Sequence, residues 1–184
     1  MENKEMTNLL KSSILEAGAS KVGEVAVSDI VFDTVFRDIC AANSCGKYGK
    51  CHMCPPDVGD IQELIDRARS YERALVFQNV YPLEDSFDFE GMIAAKDHFR
   101  SITVALRHQL IDLQTENVLL LGAGGCGVCQ TCTKEENLPC KAPHLAIPSL
   151  EAYGVNVSKL AASADMKYIN GSDTVTYFGA ILLK

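Results

Sequence analysis

With 184 residues, 47% of them hydrophobic and 22% charged, the chain suits one soluble globular domain that buries a core without help from disulfides. Lys and Arg number 17 against 24 Asp and Glu, a net charge of -7. No basic stripe is present, which argues against nucleic-acid binding, because that grip needs clustered cations to displace phosphate counterions. No apolar run is long enough for a membrane span, and the N-terminal stretch lacks the apolar core and small-residue cleavage site of a signal peptide. The expectation is a cytoplasmic protein, in which closely spaced cysteines point to metal ligation or thiol chemistry rather than to disulfides.

In chain order, Thr7 to Ala17 carries Leu9, Leu10, Ile14 and Leu15 ahead of Gly18 and predicts a short helix stopped by the glycine. Val22 to Phe32 alternates and reads as extended, and FDTVFRDIC reads as a helical turn running into the first cysteines. Pro55 and Pro56 interrupt any helix. Beyond them VGDIQELIDRARSYERA places Ile61, Leu64, Ile65 and Ala68 on one face, with Asp60 as N-cap. ALVFQNVYPL, residues 74 to 83, is a buried strand ended by proline. The longest helix is expected over Phe87 to Leu113, with Phe89, Met92, Ile93, Phe99, Leu106, Leu110 and Leu113 in a 3.6-residue stripe. That stripe reads as core in preference to a cofactor groove lined by Met92 and Phe99. NVLLL, residues 117 to 121, has the continuous apolar character of a strand in the middle of a sheet. IPSLEAYG and VNVSKLAASADM read as two further helices and TVTYFGAILL as a last strand. The predicted fold is α/β (α+β): a single domain over residues 1–184, with a four-stranded mixed sheet covered by helices and two cysteine-rich metal-binding loops at 40–56 and 122–143.

All eight cysteines fall in those loops. In the second, Cys126, Cys129 and Cys132 follow C-x2-C-x2-C, and Cys140 comes later with Pro143 close behind. The run is similar to that of ferredoxins, with a longer final gap. A cubane cluster offers one ligand position on each of four irons, so a loop curling around it presents a thiolate at every third residue. Glycines at 122, 124, 125 and 127 let backbone N–H groups turn toward a cluster. Zinc is the nearest rival, but its thiolates usually arrive as two separated C-x2-C pairs. Gly122, Gly124 and Gly127 also fit G-x-G-x-x-G, the dinucleotide-binding turn, yet cysteines occupy the place where a helix should open. The first set, Cys40, Cys45, Cys51 and Cys54, is spaced C-x4-C-x5-C-x2-C and suits a second iron-sulfur cluster or a zinc ion. Exchange of ligands between the sets, as by Cys54 and Cys140, is a further arrangement.

C-x4-C-G-x-Y-G-x-C-x2-C-P-P, followed later by GGCGVCQTC, PCKAP and PSLEAYGVNV, resembles the bacterial and archaeal family of predicted metal-binding proteins known as domain of unknown function 2284. The resemblance runs from about Cys40 to the end of the chain and implies metal binding by the cysteines, without a particular activity. Cys51 is the cysteine least tied to that pattern. The segment containing Pro148, Ser149, Glu151 and Gly154 belongs to its third block and carries no implied chemistry.

Among other candidates, His52 and His144 read as neighbours of thiolate sites that already have four sulfurs each. Lys47, Lys50, Lys134 and Lys141 either offset the charge of a site or are solvated. Tyr48 and Tyr153 read as packing, Glu151 as an acid at a helix start near Ser149, and Glu135 and Glu136 as solvated. No Ser-His-Asp set or paired-carboxylate site occurs. The sequence thus points to one or two [4Fe-4S] clusters passing electrons to a redox partner protein. The alternative is a zinc-stabilised adaptor without redox activity.

Overall fold

The computed structural model describes residues 2–115 and 117–184. Helix α1 (Glu2–Glu16) leads to strand β1 (Lys21–Ala26), then α2 (Val35–Ala41), α3 (Ile61–Arg69), β2 (Arg73–Pro82), α4 (Phe89–Asp112), β3 (Val118–Leu121), α5 (Val157–Ser163) and β4 (Thr174–Leu183). Single 3-10 turns occupy Val27–Asp29, Thr133–Glu136 and Glu151–Tyr153.

The sheet order is β1-β2-β4-β3 and every adjacent pair is antiparallel, which corrects the expectation of a mixed sheet. The reason lies in the last strand. β2 and β3, joined through α4, run parallel to each other, but β4 inserts between them and pairs antiparallel with both. The result is a split β-α-β unit with no parallel contact. β3 is therefore an edge strand, not a central one. Its apolar run is explained by cover on both faces, since Leu119 and Leu121 point into one core and Leu120 into the other.

The same parity divides the whole sheet. Ala74 and Val76 of β2 join Leu64 and Ala68 of α3 and Leu160 and Ala161 of α5 on one face. Leu75 and Phe77 join Leu10 and Ile14 of α1 and Phe99, Ile102, Leu106 and Leu110 of α4 on the other. Phe77 is fully buried and stacks on Phe99 with ring centroids 5.7 Å apart. Phe99, Leu106 and Leu110 of the predicted α4 stripe are thus core, while Phe89, Ile93 and Leu113 are exposed. Likewise α1 buries Thr7, Leu10 and Ile14 and leaves Leu9 and Leu15 outside. Asp60 caps α3 as expected, its Oδ1 accepting from Gln62 N at 2.8 Å and Glu63 N at 3.2 Å.

The scaffold delivers both cysteine loops to one place. β3 ends at Leu121, and the chain leaves at Gly122, whose N–H donates to Pro148 O (2.9 Å) and whose carbonyl accepts from Leu150 N (3.0 Å). The second loop is therefore closed at its base by a short parallel bridge, Gly122 with Ser149. The start of the first loop is tied beside it: Asp33 N donates to Gly154 O (2.7 Å) and Asn156 N to Val31 O (2.9 Å). Gly154 is required there, because its φ is +70° and a Cβ would sit 3.0 Å from Asp33 O.

Candidate metal centre

Side-chain contacts pin the two loops to each other. Lys134 Nζ pairs with Asp57 at 2.5 Å, Lys47 with Glu135 at 3.7 Å, and His52 Nε2 lies 2.9 Å from Leu138 O. Two of the predicted charge-offsetting lysines thus have carboxylate partners, whereas Lys50 and Lys141 are solvated. Glu135 is half of an ion pair, not a free solvated acid.

The cysteines divide three and five, around two cavities. Cys51, Cys126, Cys129, Cys132 and Cys140 line a small, partly enclosed space of about 30 Å³ together with His52 and Met53. Cys40, Cys45 and Cys54 line a larger one of about 280 Å³, shared with Phe36, Ile39, Tyr48, Gly124, Gly125, Ser149 and Glu151. The eight thiols are free of disulfides. Among the described residues no three His, Cys, Asp or Glu side chains converge closely enough to hold one metal ion.

Cys51, the cysteine least tied to the sequence pattern, leaves its own set and stands with the second. It is 4% exposed, the most buried of the eight. The Cys54 thiol donates to the Cys51 sulfur, which also accepts from the backbone N–H groups of Cys126 and Met53 and interacts with Cys132. The hydrogen bond from Cys54 is the largest influence, and against the cost of burial it holds Cys51 down to about 5. The same bond, with burial, pushes Cys54 up, so the pair shares one proton, held on Cys54. Burial raises Cys126, opposed by N–H donors from Ile147, at 3.3 Å, and Val128. Backbone N–H groups aimed at sulfur are what the glycines make room for. Gly127 has φ +67°, and a Cβ there would overlap Arg100.

In the larger cavity, Gly125 approaches Cys54, where a Cβ would lie 3.9 Å from the sulfur. Burial raises Cys40, and the charge of Glu151 adds to it while Arg37 opposes. Glu151 keeps part of its surface toward the cavity, but loss of hydration pushes its carboxyl up, against hydrogen bonds from its own N–H and from Ser149. Ser149 Oγ also accepts from Ala152 N at 3.1 Å, so the serine does organise the turn as the sequence suggests. The glutamate, read from sequence as a helix-start acid, faces thiols as well. Sequence offers no signal for this, because the β3–β4 pairing and the Gly122–Ser149 bridge bring it there. Tyr48 lines the larger cavity, whereas Tyr153 is core at 2% exposure.

The chain matches the family described as predicted metal-binding protein (DUF2284) over residues 23–183. It belongs to that family. No curated protein and no solved structure matches the chain. As a DUF2284 protein it is a predicted metal binder, and its donor set suits that description: eight free thiols on two linked loops are soft ligands for iron or zinc. No helix among the described residues is long and apolar enough to cross a membrane.

Proposed function

We propose that this DUF2284 protein carries iron-sulfur clusters and transfers single electrons to or from a redox partner protein. The observation that carries the reading is the division of eight cysteines into two adjoining cavities that meet at the Cys51–Cys54 hydrogen bond. Three features support clusters. The C-x2-C-x2-C run lies in a glycine-rich loop, backbone N–H groups already point at the sulfurs of Cys51 and Cys126, and the larger cavity, lined by three thiols, has a volume of about 280 Å³. When bound, a cluster would supply a reversible one-electron carrier. The chain's own part is to hold it, to stabilise its negative charge with N–H donors and to limit its contact with water.

A second reading, zinc in a structural adaptor, is favoured at one site by the small volume of about 30 Å³ among the five cysteines, which suits a single ion better than a cubane. Purification without oxygen, followed by iron, sulfide and zinc counts and an absorption spectrum, separates the two. Brown protein containing sulfide and bleaching with dithionite is expected. Colourless protein with stoichiometric zinc and no sulfide rules the electron carrier out.

A further inference from the structure

A separate cavity of about 290 Å³ lies beside the five-cysteine site, and Met53 and Ala146 line both. Its polar groups come from elements remote in sequence: Arg67 in the last turn of α3, Arg107 in α4, His144 from the end of the second cysteine loop, and Tyr153. Neither arginine stands out in the sequence, because they lie on different helices, each with other basic residues, and only the packing of α3 and α4 toward one cavity brings them together.

Neither guanidinium group has a carboxylate partner among the described residues, in a chain with 24 acidic side chains against 17 basic ones. Arg107 donates one N–H to Ala146 O at 3.3 Å, and its Nε–H is buried without any acceptor. Arg67 is held by the Tyr153 hydroxyl. Burial disfavours the Arg107 charge, and the charge on Arg67 disfavours it further, while Cys126 and Tyr153 favour it. Two cations aimed into one pocket, one with an unsatisfied donor, are stabilised by an anion that accepts from both, since planar guanidinium forks match the paired oxygens of carboxylate and phosphate. His144, exposed at this pocket, adds a third donor for the same ligand.

We propose that the Arg67–Arg107–His144 cavity is a binding site for a small oxyanion, a carboxylate- or phosphate-bearing molecule held next to the five-cysteine centre. The inference does not depend on which metal, if any, the cysteines hold. Its rival is that Arg107 merely balances the negative charge of the Cys126 thiolate, in which case no external anion is needed.

Titration calorimetry of the full chain as purified, at constant ionic strength set with sodium chloride, distinguishes them, with inorganic phosphate and malonate as separate probes. The expected result is saturable binding of one anion per chain. Arg67→Gln and Arg107→Lys should each weaken it at least tenfold, while Lys159→Gln, an exposed change on α5, leaves it unaltered. Binding of phosphate alone, malonate alone or both identifies the preferred headgroup and upholds the site in each case. Because Arg67 is exposed, its replacement leaves the core intact, and an unchanged melting temperature verifies this. No saturable binding of either probe, or undiminished binding in Arg67→Gln, overturns the proposal. Loss of metal content in Arg107→Lys without any anion binding in the parent chain establishes the charge-balance role instead.

Discussion

The two cysteine cavities share a loop and a thiol–thiol hydrogen bond, yet differ in most properties that govern a bound metal. One has five sulfurs, about 30 Å³ of space and backbone N–H groups directed at Cys51 and Cys126. The other has three sulfurs, a carboxylate and about 280 Å³, with Phe36 and Ile39 along its walls. The first crowds five sulfurs around a small space, and the second leaves more room beside three. The difference shows that the two thiols of a C-x2-C pair need not face one cavity: Cys51 and Cys54 are almost adjacent in sequence and line different ones. Covalent spacing limits how far apart two thiols lie, while the turn between them decides where each points.

Several substitutions break or sharpen that contrast. The largest effect is expected from Cys129→Ser, which removes a thiol of the enclosed site and should eliminate its metal while the three-cysteine site retains its own, read by metal and sulfide counts per chain. Loss of both would mean that the sites assemble as one. Glu151→Gln should change the magnetic-resonance or absorption signature of the larger site alone, leaving the metal content of the enclosed site unaltered. An altered enclosed site would remove Glu151 from the contrast. Gly127→Ala forces a side chain onto Arg100 and into φ +67°, and should cost about 1–2 kcal/mol of stability, seen as a fall in melting temperature. Breaking the Lys134–Asp57 link between the loops with Lys134→Met should cost at most about 1 kcal/mol, because both side chains retain some solvent contact, 25% and 22%.

The proton shared by Cys51 and Cys54 gives a pH signature in metal-free protein. Cys51 lies below the usual thiol range, so its sulfur is a thiolate above about 5 and becomes protonated as pH falls through that value. Ultraviolet thiolate absorbance should therefore include a component that persists at neutral pH and disappears as pH falls through about 5, and that component should be missing in Cys51→Ala.

Much of this molecule was legible from sequence. The 3.6-residue stripe of α4 found Phe99, Leu106 and Leu110, the apolar runs at 74 to 83 and in TVTYFGAILL marked two of the strands, and Asp60 marked the start of α3. Two errors have physical causes. A strand covered on both faces looks the same in sequence whether central or at an edge, which misplaced NVLLL. Strand direction follows from where the last strand inserts, which local pattern does not encode. At the site, the concentration of cysteines in two loops located both cavities, but assignment of sulfurs to cavities depended on the contacts between loops. The charge of Arg37 acts on Cys40 and that of Arg107 on Cys126, and local sequence pattern does not reveal the second pairing before the helices pack.

The most direct test of the central claim, that Cys51 belongs with the second cysteine loop and Cys54 with the first, compares Cys51→Ala, Cys126→Ala and Cys45→Ala, prepared without oxygen, by metal and sulfide content per chain. The account predicts that Cys51→Ala and Cys126→Ala lose the same share and keep what Cys45→Ala loses. It is contradicted if Cys51→Ala and Cys45→Ala lose the same share while Cys126→Ala loses the other.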